Sequence, residues 1–209
     1  MLNIAVFASA RGSNFRAILI AINDGRIPNT RIVLVVSNNS NAGALQTAQE
    51  HNIPPVHLSR SQFGDDVEFN NALLETLENH GANFIVLAGY MKKLDPIIIR
   101  RYRNRIVNIH PALLPQFGGP GMYGIHVHEA VIAQKASESG ATVHIVDEDY
   151  DHGPIVLQRR VAVSPDDTAE TLAAKVLKIE HELYPEAIRL FAQDQIIVDG
   201  RHVTIHASS

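Results

Sequence analysis

The sequence predicts an α/β fold: a doubly wound, mostly parallel, Rossmann-like sheet with antiparallel additions in its C-terminal half. Three observations carry this. Runs nearly continuous in Val, Ile and Leu, such as Arg31-Ile-Val-Leu-Val-Val36 and Asn83-Phe-Ile-Val-Leu-Ala88, suit parallel strands covered on both faces. Those runs alternate with stretches of helical periodicity, and strand–helix repetition closes into a sheet through right-handed crossovers. Later in the chain, two strand-like runs follow one another across a short connection, which predicts antiparallel pairing.

Taken in order, residues 3–8 read as a buried strand and 13–23 as a helix. Residues 31–36 form a second strand, 41–51 a helix, 55–58 a short strand, 65–80 a helix and 83–88 a strand. A helix over 95–103 ends in Arg100-Arg-Tyr-Arg-Asn-Arg105, which reads as a solvated helix end where cations meet the dipole. The strand 105–110 should stop at His110, because Pro111 cannot donate to a ladder. Gln116-Phe-Gly-Gly-Pro-Gly-Met-Tyr-Gly124, with four glycines and a proline, reads as a mobile loop or lid. A helix at 125–137 leads to strands at 141–147 and 154–163. Asp166-Asp167-Thr168 then caps a long helix reaching about Phe191, and 195–206 makes a hairpin around Asp199-Gly200. No Pro- or Ser-rich linker interrupts the chain. One domain is expected, with an N-terminal lobe over about 1–104 and a C-terminal lobe over about 105–209.

Composition narrows the function. The 209 residues suffice for a substantial core, and 45% hydrophobic with 19% charged residues is ordinary for a globular chain. A formal net charge of −4 gives no electrostatic reason to expect nucleic acid as a partner. Cysteine is absent, which excludes disulfides, Cys-zinc sites, iron–sulfur clusters and thiol catalysis. The N-terminus lacks a basic n-region, and no apolar run approaches the roughly 18 residues of a membrane helix. A soluble, cytoplasmic protein is expected, with no membrane partner.

The chemistry concentrates in Asn108-Ile-His110-Pro111-Ala-Leu-Leu-Pro115. Asn108 and His110 flank one residue, so on a strand their side chains leave the same face. They sit at the strand's carboxyl end, where open α/β sheets place ligands. Two polar groups on one face of an apolar strand need partners or a ligand. Asp151, in Asp149-Tyr-Asp-His-Gly-Pro154, is an ordinary turn aspartate unless the fold brings it to His110. There it would favour the imidazolium and raise the histidine pKa from its reference near 6.5.

Thr142 and His144 share a strand face and either line the site or face solvent. Ser9-Ala-Arg-Gly12-Ser13-Asn14 joins the first strand to the first helix. It is either an anion site made of free N–H groups and the helix dipole, or a plain turn in which Ser13 caps the helix. Neither G-x-G-x-x-G nor G-x-x-x-x-G-K-[ST] is present, so a terminal phosphate fits better than a pyrophosphate. His126, His128, His144 and His152 invite a zinc reading, but no further ligand joins them at helical spacing, and no metal is expected. Glu180-His181 reads as an exposed polar pair in the long helix.

With these residues in place the chain resembles the phosphoribosylglycinamide formyltransferases, folate-dependent enzymes of purine synthesis. The likeness runs nearly end to end. It rests on Gly12-Ser-Asn14, Val86-Leu-Ala-Gly-Tyr-Met-Lys-Lys-Leu94, Asn108-Ile-His-Pro-Ala-Leu-Leu-Pro115 and Gly121-Met-Tyr-Gly-Ile-His-Val-His128. It continues through Gly140-Ala-Thr-Val-His144, Asp151-His-Gly-Pro-Ile-Val-Leu-Gln158 and Glu180-His-Glu-Leu-Tyr-Pro185. The Asn-x-His-Pro-x-Leu-Leu-Pro run marks the wider formyltransferase superfamily; Gly-Ser-Asn after the first strand points to this member.

The resemblance implies transfer of the formyl group of 10-formyltetrahydrofolate, a co-substrate, to the amine of 5-phosphoribosylglycinamide (GAR). It makes Asn108, His110 and Asp151 the catalytic trio, with Thr142 and His144 in support. Gly12, Ser13, Asn14 and Glu180 would bind GAR, which displaces the plain reading of Glu180. Met91, Lys92, Lys93 and Leu94, with Asn108, would bind the folate. The partners implied are small molecules, for a monomer or homodimer, and the loop at 117–124 would order over substrate.

Three positions depart from the family's pattern. Lys92 stands where members often have Arg, Gly64-Asp-Asp-Val67 where some place an Arg for the folate tail, and Leu177 where some have a polar residue near the phosphate. The rivals are a formyltetrahydrofolate hydrolase, expected to carry an added regulatory domain, a tRNA or sugar-nucleotide formyltransferase, and a non-catalytic binding module.

Overall fold

In a computed structural model, residues 1–206 are described, so the last three residues of the expected C-terminal lobe lie outside them. The chain divides into two compact units, Met1–Val107 and the residues from Asn108 onward.

In the first unit, strands β1 (Leu2–Phe7), β2 (Thr30–Ser37), β3 (Pro55–His57) and β4 (Phe84–Leu87) alternate with helices α1 (Ser13–Asn23), α2 (Gly43–Glu50) and α3 (Asp66–Asn79). All their pairings are parallel, and the register between β1 and β2 slips once, at Ile4/Ala5. Ile4, Val6, Phe7, Phe15, Leu34, Phe84 and Ile85 are fully buried, as the continuous apolar runs require of strands covered on both faces. Helix α4 (Pro96–Arg101) stops two residues short of expectation. The chain turns at Asn104, whose backbone is left-handed (φ 57°), a conformation Asn tolerates and a helix does not. Arg101 in its last turn pairs with Glu78.

Strand β5 (Ile106–His110) begins in the first unit and ends in the second. The second unit adds α5 (Ile125–Ala133), β6 (Glu138–Ile145), β7 (Ile155–Ala162), α6 (Ala169–Ala192) and the hairpin β8 (Ile196–Asp199) and β9 (His202–Ile205). The seven main strands run in the order β3-β2-β1-β4-β5-β6-β7, with β6 and β7 antiparallel. Thr168 caps α6 by accepting the Thr171 N–H, as its sequence predicts. Helix α5 ends earlier than predicted, ahead of a left-handed Lys135 (φ 51°).

Strand β6 departs from expectation in starting at Glu138 rather than at 141, because Glu138, Ser139 and Gly140 pair with Ala162, Val161 and Arg160. A Cβ at Gly140 would run into the carbonyl of Arg159, so the absence of a side chain is what permits close pairing there. No helix among the described residues is long and apolar enough to cross a membrane.

Two buried polar groups in the second unit set measurable properties. The Thr142 hydroxyl donates to the Ala112 carbonyl (2.6 Å) and accepts from the Leu114 N–H (3.1 Å) and the Gln158 amide (2.9 Å). It thereby anchors the turn that follows β5. Thr142→Val keeps the shape but strands a buried N–H and a carbonyl; it should cost about 1–3 kcal/mol by urea unfolding, and a neutral result would remove this anchoring role.

His128 on α5 is 4% exposed, and its Nδ1 is buried with no hydrogen-bond partner. Burial, aided by the charge of His110, holds its pKa below the ordinary value. The unfolded chain therefore takes up this proton first. The stability it costs begins to disappear as pH falls through about 6.5 and is fully lost below the folded pKa. The unfolding free energy of His128→Gln should accordingly fall less between pH 7.5 and 5.5 than that of the parent; equal slopes would contradict this.

Candidate active site

Along β5, Asn108 is half-buried and His110 only 3% exposed, and the strand ends at His110 as Pro111 requires. Asn108 Nδ2 lies 3.1 Å from His144 Nε2, and His144 Nδ1 lies 3.1 Å from the Ile145 carbonyl. A carbonyl only accepts, so in the neutral ring Nδ1 carries the proton and Nε2 offers its lone pair to the Asn108 amide. Thr142 and His144 are both buried, at 0% and 2% exposure, which excludes the solvent-facing alternative.

Asp151 joins them. Its Oδ2 is 3.5 Å from His110 Nδ1 and its Oδ1 is 3.5 Å from His144 Nε2, so one carboxylate faces two imidazoles. Oδ2 also accepts the Gly119 N–H at 3.0 Å. The Asp151 side chain is 11% exposed, and its backbone is left-handed, with φ 54°. A non-glycine residue holds that conformation at a cost that its surroundings must offset.

The electrostatics correct one expectation. The carboxylate of Asp151 does pull the His110 pKa upward, and so does the Phe117 carbonyl. Burial takes away more, with the His144 charge acting in the same direction, so the His110 pKa lies below its ordinary value. For Asp151, burial raises the pKa, but the neighbouring His144 and His110 imidazoles and the Gly119 N–H together outweigh it. The carboxyl is held below the ordinary carboxylate range.

The glycine-rich loop lies against these groups. His110 Nε2 donates to the Phe117 carbonyl at 2.7 Å, so both nitrogens of His110 face acceptors. Phe117 and Gly119 have left-handed backbones, with φ 56° and 95°. Between them, a Cβ at Gly118 would come within 2.5 Å of Leu114 Cδ2 and 3.2 Å of Asp151 Cβ. A glycine is required there for the loop to lie this close to the aspartate.

In the first unit, the cap of α1 is Gly12 (φ 74°) rather than Ser13, and no side chain caps the helix, so the plain reading of Ser13 is corrected. A Cβ on Gly12 would meet Ala44 Cβ at 2.9 Å, which is why a side chain that could cap the helix is excluded. Helix α2 also starts without a side-chain cap, at Ala42, and its Gly43 lies against Arg11. Two helix N-termini without side-chain caps, next to an arginine, favour an anion, although the Ala44 N–H of α2 already donates to the Ala10 carbonyl. Ser13 is exposed and Asn14 buried. The 91–94 segment is tied to the same turn, since Met91 N–H donates to Ser9 Oγ at 2.9 Å. Met91, Lys92 and Lys93 are exposed, and Leu94 is buried.

Glu180 is buried on α6, at 8% exposure, which overturns its reading as half of an exposed polar pair. It stands in the inward row Leu172, Val176, Glu180, Tyr184 and Ile188, spaced by four, and that spacing was the available signal. His181 is half-buried with an unpartnered Nε2, and burial lowers its pKa. Gln158 was missed; it pairs with Thr142 across β6 and β7, and its amide also donates to the Leu114 carbonyl at 3.0 Å. Among the described residues, no group of three or more His, Asp or Glu is placed to hold a metal ion.

Residues 2–188 match the formyl transferase family model. The chain is 42% identical over 194 residues to the chloroplastic phosphoribosylglycinamide formyltransferase of Vigna unguiculata, covering 93% of this chain and 62% of the relative. It therefore spans less than two thirds of that relative's length. The phosphoribosylglycinamide formyltransferase of Haemophilus influenzae is 36% identical over 196 residues, 94% of this chain and 90% of its own. Among solved structures, glycinamide ribonucleotide transformylase 1 from Symbiobacterium toebii superposes with a TM-score of 0.91 at 37% identity, covering 98% of this chain and 94% of that one. The chain belongs to the formyltransferase family, in the branch of the phosphoribosylglycinamide formyltransferases.

Proposed function

We propose that this protein transfers the formyl group of 10-formyltetrahydrofolate to the amine of GAR by direct acyl transfer. The observation that carries the reading is the Asp151 carboxylate set between the His110 and His144 imidazoles, with the Asn108 amide on His144. Such a cluster has no role in passive binding, and it supplies both an oxyanion site and a proton acceptor.

The neutral GAR amine attacks the formyl carbon, a C–N bond forms, and the carbonyl π electrons move to oxygen. Asn108 NH₂ and the imidazolium form of His110 stabilise that oxyanion, the largest single contribution such sites offer. The formyl oxygen replaces the Phe117 carbonyl on His110 Nε2. Asp151 balances the imidazolium charge and takes the proton of the attacking amine, which passes on to N10 of the folate as the C–N10 bond breaks. Atoms and charge then balance, with formyl-GAR and tetrahydrofolate as products and no covalent enzyme intermediate. The first unit acts as the phosphate-binding lobe, with Gly12, Ser13 and Asn14 holding the GAR phosphate on the uncapped start of α1. Glu180 contacts the same substrate. Met91, Lys92, Lys93 and Leu94 contact the folate, and Lys92 or Lys93 meets its acidic tail. Thr142 and His144 keep the trio in place.

Two measurements test this. Consumption of 10-formyltetrahydrofolate should require GAR; formate release that ignores GAR would instead establish a hydrolase, and no turnover would favour a binding module. Asp151→Asn should lower kcat by about 10²–10⁴-fold while the circular dichroism spectrum is unchanged. A near-normal rate would take Asp151 out of the mechanism.

A further inference from the structure

The loop between β6 and β7 carries Asp151, and its base is closed by the Ile145 N–H donating to the Pro154 carbonyl at 2.8 Å. Within it, Asp147 accepts the Asp149 N–H, and Gly153 is pressed so close to the Ile145 carbonyl that no side chain fits. These contacts shape the loop's ends. At its centre the Asp151 carboxylate is held on one side by the Gly119 N–H.

The β8–β9 hairpin reaches this centre. Its two-residue turn is Gly200-Arg201, with Gly200 left-handed at φ 57°, and β9 lies against β7. From the turn, Arg201 Nη2 donates to the His152 carbonyl at 2.5 Å, and Nη1 donates to His152 Nδ1 at 2.9 Å. One planar guanidinium thus grips both the backbone and the side chain of the residue that follows Asp151, a two-point hold that a lysine ammonium cannot reproduce. Asp147 Oδ2 lies 3.7 Å from the same His152 nitrogen. The hairpin also lies beyond residue 188, where the match to the family model ends.

We infer that Arg201 is a positioning residue for the formyl-transfer site, acting from the C-terminal hairpin by fixing the His152 peptide and hence the left-handed backbone of Asp151. The inference rests on the formyl-transfer reading for its kinetic consequence only; its structural consequence stands without it. Arg201 touches no reacting atom. Its effect runs through the direction in which Asp151 presents its carboxylate to His110 and His144.

The experiment compares the full chain with Arg201→Ala and Arg201→Lys. In Arg201→Ala, kcat should fall about tenfold, inside the roughly 10²-fold that a 1 Å misplacement costs, with KM for GAR unchanged. Added methylguanidinium should restore part of that rate, and Arg201→Lys should fall between the two. Hydrogen exchange of the 149–153 amides, read by mass spectrometry, should speed up in Arg201→Ala. Unchanged kcat and unchanged exchange would overturn the inference, and so would a rate loss that only follows a lower Tm and ignores methylguanidinium. A parent protein that fails to turn over substrate would defeat the formyl-transfer reading instead, and the exchange measurement would still decide the role of Arg201.

Discussion

A buried carboxylate has to be compensated by its surroundings, and the site around Asp151 is built with parts drawn from four places in the second unit. His110 ends β5, His144 lies one residue before the end of β6, Gly119 lies in the glycine-rich loop, and Asp151 itself sits in the loop between β6 and β7. This assembly costs the fold something. His110 gives up part of its basicity to burial, Asp151 adopts a left-handed backbone, and Gly118 must lack a side chain for the loop to approach. The return is a charge placed where two imidazoles can use it, at a strand end where little water can weaken it.

The two histidines are then distinguished by their second nitrogen. His144 is bound on Nδ1 by the Ile145 carbonyl, which leaves it a lone pair for Asn108. His110 faces Asp151 on Nδ1 and the Phe117 carbonyl on Nε2, so it can donate from both. Identical side chains thus serve as an acceptor that orients an amide and as a donor aimed at developing charge. The partners of the ring decide this, and the ring itself does not.

What could be read from the sequence follows the range of each interaction. The parallel sheet was legible because buried strands write themselves as unbroken apolar runs, and the end of β5 was legible because Pro111 is a local veto on the ladder. The side-by-side placement of Asn108 and His110 needed only the two-residue period of a strand. The meeting of Asp151 with His110 could not be read from the residues alone and came only through the family resemblance, since it depends on how an antiparallel pair and its loop close. The Phe117 carbonyl and the Gly119 N–H carry no signature at all, because every residue has them. The direction of the His110 pKa was misjudged for a related reason: charge neighbours can be guessed from a motif, whereas the cost of burial depends on everything packed around it. The plain reading of Glu180 as exposed failed differently: its place in a row of apolar residues spaced by four was visible, yet only the resemblance displaced that reading.

Thr142 has a consequence that reaches beyond its own turn. A hydroxyl owns one hydrogen and two lone pairs, and here the Ala112 carbonyl, the Leu114 N–H and the Gln158 amide take all three. Its valence is spent within the scaffold, with none left for a visiting molecule. Descendants of this chain that acquire a different acceptor must therefore write the new recognition into other side chains, while position 142 stays a fixture of the frame.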